Sequence, residues 1–399
     1  MMLSKIIGYA GKGFHVFFPL FLFLSAIFCG YTRVNNLFHL SLLCMLFMLV
    51  GDSTLRHQLF DDYRFNTGLV LAALMLGYFC LTTLWSGYLL RSLISYIMHS
   101  LYLLLFILMF RLISLQGRRM IALGAVAAGI TVLVLLTFWF VDKQTLLTNR
   151  MEKGFFGAPE NVIDLAGYFS LGIFLYLIMI RQTGYGWLYL PVVVLLLAIL
   201  FTQSRGPLLA LSCALAVLFL FQPAMKQRYL LIMTFVVLVL LALLLMTRFG
   251  DIFLLRIESG YQQSFIRFGI WRHSLELVVQ KPVFGWGLDK ELSFINKLGD
   301  LITTTHSLYL ASLLKGGIVG LLLLTLLILY GMLMAKRQLD HKQGLESALF
   351  LFTSVFYVTQ GMFIISNPEI CWEMFWFPLA VVLTLPTSLS DDGDAKLSY

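Results

Sequence analysis

Charged side chains are scarce in this sequence: Asp, Glu, Lys and Arg make up 12% of its 399 residues, whereas hydrophobic residues make up 60%. With a mean hydropathy of +0.90, this composition excludes an ordinary soluble domain. The five cysteines lack the spacing of a metal site or a disulfide framework. Motifs with metal-ligand spacing, such as HExxH, are also absent, so neither a metal nor a cofactor is expected.

What the sequence has in abundance is apolar runs, and a run of about 20 residues crosses a bilayer as a helix. We therefore predict an all-α polytopic membrane protein with about 12 transmembrane helices, forming a single integral membrane domain over residues 1–399. The predicted spans are 14–31, 37–51, 67–88, 93–114, 120–141, 162–181, 186–203, 206–221, 229–247, 306–335, 345–366 and 371–388.

The short loops predict the orientation of these helices. Lys and Arg concentrate on the side that also holds both chain ends, which the positive-inside rule makes cytoplasmic. The first run is expected to remain as a helix, because no small-residue cleavage site follows it. Residues 389–399 then form a short cytoplasmic tail, and 248–305 form one large periplasmic loop. The net charge of +8 reflects this topology and contact with anionic membrane lipids, so no nucleic-acid partner is expected.

The large loop is predicted to contain an amphipathic helix that lies along the membrane surface as a lid. Arg272 and Glu276 form an i,i+4 pair on its wetter side, and Pro282 ends it. Apolar residues recur every three or four positions along its other side: Phe265, Phe268, Trp271, Leu275 and Val278.

Three basic residues are predicted to share one face of the membrane: Arg205, Arg267 and His306. Charge near a bilayer is costly, and it usually serves a function. Arg205 precedes Gly206-Pro207 at a helix start, where exposed N–H groups favour an anion. His306 is expected in the first turn of the tenth predicted helix, after the capping residues 303–305. The helix N-terminus and the arginines should keep its imidazole neutral and able to accept a proton.

Each of these residues also has a purely structural interpretation. Arg205 could extend to the lipid headgroups, and a single histidine at a helix start often serves packing. The convergence of all three favours a site. Lys315 is interpreted as structural, either reaching the headgroups or paired with Asp164 or Glu369.

Three motifs together resemble the O-antigen ligase superfamily of bacterial inner-membrane glycan enzymes. They are SRGPLLAL from Ser204, RFGIWR followed by KPVFGWG over 267–287, and HSLYLASLLKGGIVG from His306. The resemblance implies that Arg205 and Arg267 bind a diphosphate and that His306 is essential. It also implies an acidic residue near the last periplasmic loop, a place that Glu369 or Glu373 could fill. Trp271 and Arg272, on the amphipathic helix, are expected to help bind substrate.

The resemblance also implies a function. The donor would be a polysaccharide on undecaprenyl diphosphate, the acceptor a sugar hydroxyl of the lipid A core, and the active site periplasmic. A Wzy-type O-antigen polymerase and a protein O-oligosaccharyltransferase remain alternatives within the same chemistry. A transporter is a third alternative from another class, although the sequence shows neither the repeat symmetry nor the broken helices typical of transporters.

Overall fold

The computed structural model describes residues 2–87, 90–142, 151, 154–222, 267–295, 299, 301–361 and 363–384. These residues form a helical bundle with one two-stranded hairpin, in which β1 (Phe294–Ile295) pairs antiparallel with β2 (Leu301–Ile302). The helices are α1 (Met2–Ile27), α2 (Asn35–Gly51), α3 (Ser53–Phe60), α4 (Tyr63–Thr82), α5 (Leu90–Leu115), α6 (Arg119–Phe140), α7 (Val162–Thr183), α8 (Tyr189–Thr202), α9 (Arg205–Phe221), α10 (267–280), α11 (Leu308–Asp340), α12 (Gly344–Phe356) and α13 (Phe377–Leu383), the last preceded by a π-helical turn, Trp372–Trp376.

The helices make the chain an all-α, polytopic membrane protein. Among the described residues, six are long and apolar enough to cross a membrane, or seven if α2 and α3, bent by 109°, form one span. The prediction of twelve spans is not confirmed. Four predicted spans are shorter apolar helices, namely α8 with its preceding turn, α9, α12 and Trp372–Leu383, and the ninth, 229–247, lies outside the described residues. The eleventh, 345–366, is helical only as far as Phe356.

The bundle has two distinct ends, which are identified by the contacts at the two termini of the buried α7. At one end, Ser204 Oγ donates a hydrogen bond of 3.4 Å to the Val162 carbonyl, so the start of α9 lies beside the start of α7. At the same end, the Leu308 N–H donates to the Tyr357 carbonyl at 3.0 Å, which joins the start of α11 to the end of α12. We call this the His306 end.

The opposite end is held by buried polar groups at the other helix termini. Arg181, in the last turn of α7, forms an ion pair of 2.7 Å with the buried Glu346 of α12. Arg119, at the start of α6, donates to the Thr384 carbonyl at 2.5 Å. Because each cation meets an acceptor in a buried position, loss of either partner would leave an uncompensated group and destabilise this end.

A cluster of aromatic rings fixes the last helical segment against the first helices. The Trp372 ring lies edge-on to Phe38 at 5.2 Å, to Phe106 at 5.1 Å and to Phe21 at 6.1 Å between ring centroids. All four side chains are buried. Edge-to-face pairs stabilise beyond the area they bury, so the segment just before Trp372, which contains Glu369, is held in a fixed position.

The long helix α11 is broken at Gly317, whose φ of 62° is left-handed. The kink frees backbone groups, and the chain that follows α10 bonds to them: Trp286 N–H donates to the Leu314 carbonyl at 3.0 Å, and Ile318 N–H donates to the Pro282 carbonyl at 2.8 Å. Lys315 donates to the carbonyls of Leu288 and, at 2.8 Å, of Lys290. Its predicted pairing with Asp164 or Glu369 is therefore wrong, and Lys315 instead holds the loop on α11.

Candidate active site

His306 lies between β2 and α11 in a conformation that few non-glycine residues adopt. Its φ is 49°, in the left-handed region. The prediction that it lies in the first turn of a helix is wrong, because α11 begins at Leu308 and Ser307 is the N-cap. Thr305 does not cap the helix; its hydroxyl donates to the Ser307 carbonyl at 2.8 Å and so forms a local turn. This turn places His306 just before the N-cap of α11.

Helix α10 is attached directly to the residue before His306. Trp271 Nε1 donates a hydrogen bond of 3.1 Å to the Thr305 carbonyl. Arg267 lies one turn earlier on α10 and is partly buried, which lowers the pKa of its guanidinium. Burial also lowers the pKa of His306, and the positive charge of Arg267 lowers it further. The structure therefore brings Arg267 and His306 together and favours the neutral imidazole at neutral pH.

The buried face of α10 differs from the predicted one. Ile270, Ser274 and Val278 are buried against the loop and α11, whereas Phe268 and Leu275 are 60% and 48% exposed. Only Val278 of the predicted stripe is fully buried, and Phe265 lies outside the described residues. The helix thus carries two apolar faces, one packed on the protein and one exposed. An exposed apolar face next to spanning helices is typical of contact with lipid.

Arg205 is the first residue of α9, as the sequence predicts, and it is exposed. It lies at the His306 end, because the preceding Ser204 contacts the start of α7. The next residue, Gly206, is packed against Thr359: a Cβ at Gly206 would lie 3.1 Å from Thr359 Oγ1. The start of α9, which carries Arg205, therefore contacts the segment that follows α12.

The segment Thr359-Gln360-Gly361 connects the separate parts of the site, and sequence reasoning missed it. Gln360 Nε2 donates a hydrogen bond to Asp164 Oδ1 near the start of α7. Gly361 lies against His306 so closely that a Cβ there would be 2.4 Å from the His306 backbone nitrogen. Three consecutive small or polar residues inside the predicted apolar span 345–366 were the available signal.

A cavity of about 490 Å³ opens at this end beside His306. Glu369 contributes to its wall, which places it near His306, and burial raises the pKa of its carboxyl. The other candidate, Glu373, is fully buried and accepts a hydrogen bond of 3.2 Å from the Tyr168 hydroxyl, outside the cavity wall. The remaining wall comes mainly from the chain around 156–164 and from the turn after α1.

Arg272 lies apart from this cavity. It is 84% exposed and pairs with Glu276 at 3.2 Å, as the i,i+4 spacing predicts. Trp271 does not line the cavity either; it borders an apolar groove that also involves Leu310 and Leu313 of α11. Trp271 therefore positions α10, whereas Arg272 faces outward.

The central part of the chain is similar to known proteins. Residues 190–325 match the family model described as O-Antigen ligase, a range that includes Arg205, Arg267 and His306. An O-antigen ligase of Pseudomonas aeruginosa is 27% identical over 119 residues, which are 29% of this chain and 29% of that protein. The chain thus spans less than a third of the curated relative in the matched region. Over this central region the chain is therefore similar to O-antigen ligases.

Proposed function

We propose that this protein transfers a polysaccharide from undecaprenyl diphosphate to a sugar hydroxyl of the lipid A core. The observation that carries the proposal is the setting of His306: a histidine in a left-handed turn beside a cavity, with its pKa lowered by burial and lowered further by the positive charge of Arg267. A neutral imidazole next to a guanidinium suits a reaction that removes a proton from a hydroxyl and releases a diphosphate.

In the proposed reaction, the acceptor hydroxyl oxygen attacks the anomeric carbon of the donor glycan. The bond from that carbon to the diphosphate oxygen breaks, and the proton of the hydroxyl passes to His306. Arg205 and Arg267 stabilise the negative charge that develops on the departing diphosphate, and their planar guanidiniums can each bind two oxygens. Attack opposite the leaving group inverts the anomeric configuration. No metal is required, since the two arginines supply the positive charge.

The proposed setting is the bacterial inner membrane, crossed several times, with the His306 end on the periplasmic face. The apolar groove beside Trp271 lies next to this end, so the lipid part of the donor can remain in the membrane while its diphosphate reaches the arginines. Membrane lipids are then the surroundings of the enzyme and the source of both substrates. The family match over residues 190–325, which holds both arginines and the histidine, supports this assignment.

The deciding experiment is a lipopolysaccharide gel of a deletion strain complemented with the wild-type protein or with His306→Ala. We expect the deletion strain and the His306→Ala strain to keep an intact core band and to lose the whole polysaccharide ladder. A core band carrying one repeat unit would contradict the proposal in favour of a polymerase. Unchanged lipopolysaccharide with loss of glycan from a secreted protein would contradict it in favour of a protein glycosyltransferase.

A further inference from the structure

The cavity beside His306 is lined by hydrogen-bond acceptors. Three carboxyl side chains, Glu160, Asp164 and Glu369, contribute to its wall, and no Lys or Arg is among the described residues that line it. Neither Arg205 nor Arg267 belongs to the wall, although Arg267 acts on His306. The acidic cavity is therefore distinct from the surface proposed for the diphosphate.

A buried side chain in the cavity wall, Gln360, indicates which chemical groups of a ligand the cavity can bind. Gln360 is only 2% exposed, and its Nε2 donates to Asp164, so its amide orientation is fixed. Its Oε1 is buried and has no hydrogen-bond partner among the described residues, and Gln360 belongs to the wall of the same cavity. Buried carbonyl oxygens are nearly always paired, which indicates that a donor from a ligand completes this one.

The rim of the cavity adds an apolar contact. The rings of Tyr31 and Phe156 meet edge-to-face with centroids 6.3 Å apart, and both line the cavity. Phe156 is 80% exposed, so its ring is available to a ligand that enters. Acceptor oxygens below and aromatic rings at the rim match a sugar ring, which offers hydroxyl donors at its edge and C–H groups on its faces.

We propose that this cavity binds the terminal sugar of the acceptor and selects an uncharged or amino sugar over an anionic one. The inference rests on the proposed function and adds the place and the charge class of the acceptor. A hydroxyl or ammonium group satisfies Gln360 Oε1, whereas a uronate or a phosphorylated sugar brings negative charge toward Glu160 and Glu369. His306 lines the same cavity, so the attacking hydroxyl meets its base there.

The first test compares two acceptors with the purified full-length protein and an undecaprenyl-diphosphate-linked glycan donor. One acceptor is a short saccharide ending in a neutral hexose, and the other carries a carboxylate at C6 of that hexose. We expect the KM of the carboxylated acceptor to be about tenfold higher in the wild type, because like charges repel. Glu160→Gln, at an exposed position, should narrow that ratio.

The second test removes the unpaired oxygen. Gln360→Met should raise the KM of the neutral acceptor about tenfold and leave the KM of the donor unchanged, because the diphosphate is held by the arginines. The matched control is Gln338→Met: Gln338 is equally buried and also has an unpaired Oε1, but it lies at the opposite end, bonded to the Val382 carbonyl. The control should leave both KM values unchanged.

Equal KM values for the two acceptors in the wild type, or an unchanged acceptor KM in Gln360→Met, would overturn the inference and leave the proposed function intact. Equilibrium binding of the two saccharides in the absence of donor makes the same comparison without any transfer. A wild-type protein that binds the neutral saccharide preferentially but transfers no glycan would reject the proposed function and retain the binding site.

Discussion

At the scale of single residues, His306 is held by contacts from three separate parts of the chain. Trp271 of α10 donates a hydrogen bond to the Thr305 carbonyl, Gly361 lies against the His306 backbone, and Ser307 is the N-cap of α11. A left-handed histidine costs conformational energy, and such strain persists only where the surroundings fix it. Because the three contacts fix the backbone of His306 at the wall of the cavity, we assign His306 a chemical role rather than a packing role.

The pH dependence of transfer tests that role. Burial and the charge of Arg267 lower the pKa of His306 below its ordinary value of 6.5. The imidazole is therefore neutral at pH 7, and activity should fall as the pH decreases through this lowered pKa. His306→Gln should lower kcat by about a hundredfold or more, because glutamine forms hydrogen bonds but does not take up a proton. Transfer rates measured from pH 4.5 to 8 would show both effects. A near-normal rate in the Gln variant would leave His306 only a positioning role.

Substitutions of Arg205 test whether the planar shape of its guanidinium matters or only its positive charge. Arg205→Ala should abolish transfer while the amount of protein in the membrane stays the same, because the side chain is exposed at a helix start. Arg205→Lys should recover little, since an ammonium group lacks the planar fork that binds two diphosphate oxygens. Arg272→Lys is the matched control, because Arg272 is exposed and lies apart from the cavity. Full activity in Arg205→Lys would indicate that this arginine only reaches the headgroups.

At the scale of elements, sequence patterns predicted where helices begin better than which way they face. Ser204 to Pro207 correctly marked the start of α9, and Pro282 correctly marked the end of α10. The buried face of α10 was predicted incorrectly, because apolar residues lie on both sides of it and only the long-range contacts with Leu292 and Leu314 select Ile270 and Val278. The periodicity of apolar residues identifies an apolar face of a helix but not which of two such faces is buried, and α10 has two.

The kink in α11 depends on Gly317, where a side chain has no room. A Cβ at Gly317 would lie 2.2 Å from the Val283 carbonyl oxygen and would also require a left-handed backbone. Gly317→Ala should therefore separate the 281–287 segment from α11, shift α10, and lower both thermal stability and transfer. Gly184→Ala is the control: its φ is 72°, with nothing within 4 Å of a Cβ, so it carries the backbone strain without the clash.

Thermal unfolding of the two variants in detergent separates these contributions. We expect Gly184→Ala to cost about 1 kcal/mol of stability and to leave transfer unchanged, since only the left-handed backbone is penalised. Gly317→Ala should cost more than that and reduce transfer even at temperatures where the protein remains folded. Equal effects of the two substitutions would show that the packing of the 281–287 segment on the kink contributes nothing to the site.

At the scale of the whole molecule, Arg205, Arg267 and His306 lie at the end of the bundle where α7 and α9 begin. The order of the apolar runs predicts a shared membrane face for these residues, and the side of the membrane stays a prediction. It does not predict the contribution of Gln360 and Gly361, since the apolar pattern over 345–366 predicts a continuous helix. Their placement depends on Asp164 and on the His306 backbone, which are distant in sequence.

Cysteine labelling can test which side of the membrane each end of the bundle faces. In a variant whose native cysteines are replaced by serine, Gln280→Cys lies on the exposed side of α10 near the His306 end, and Asp340→Cys lies exposed at the opposite end of α11. A membrane-impermeant maleimide added from the periplasmic side should label the Gln280→Cys variant. It should label the Asp340→Cys variant only after the inner membrane is permeabilised. The reverse pattern would place His306 and both arginines in the cytoplasm. A lipid A core acceptor presented to the periplasm would then be out of reach of His306, so the labelling pattern decides between the proposed transfer and any reaction on a cytoplasmic substrate.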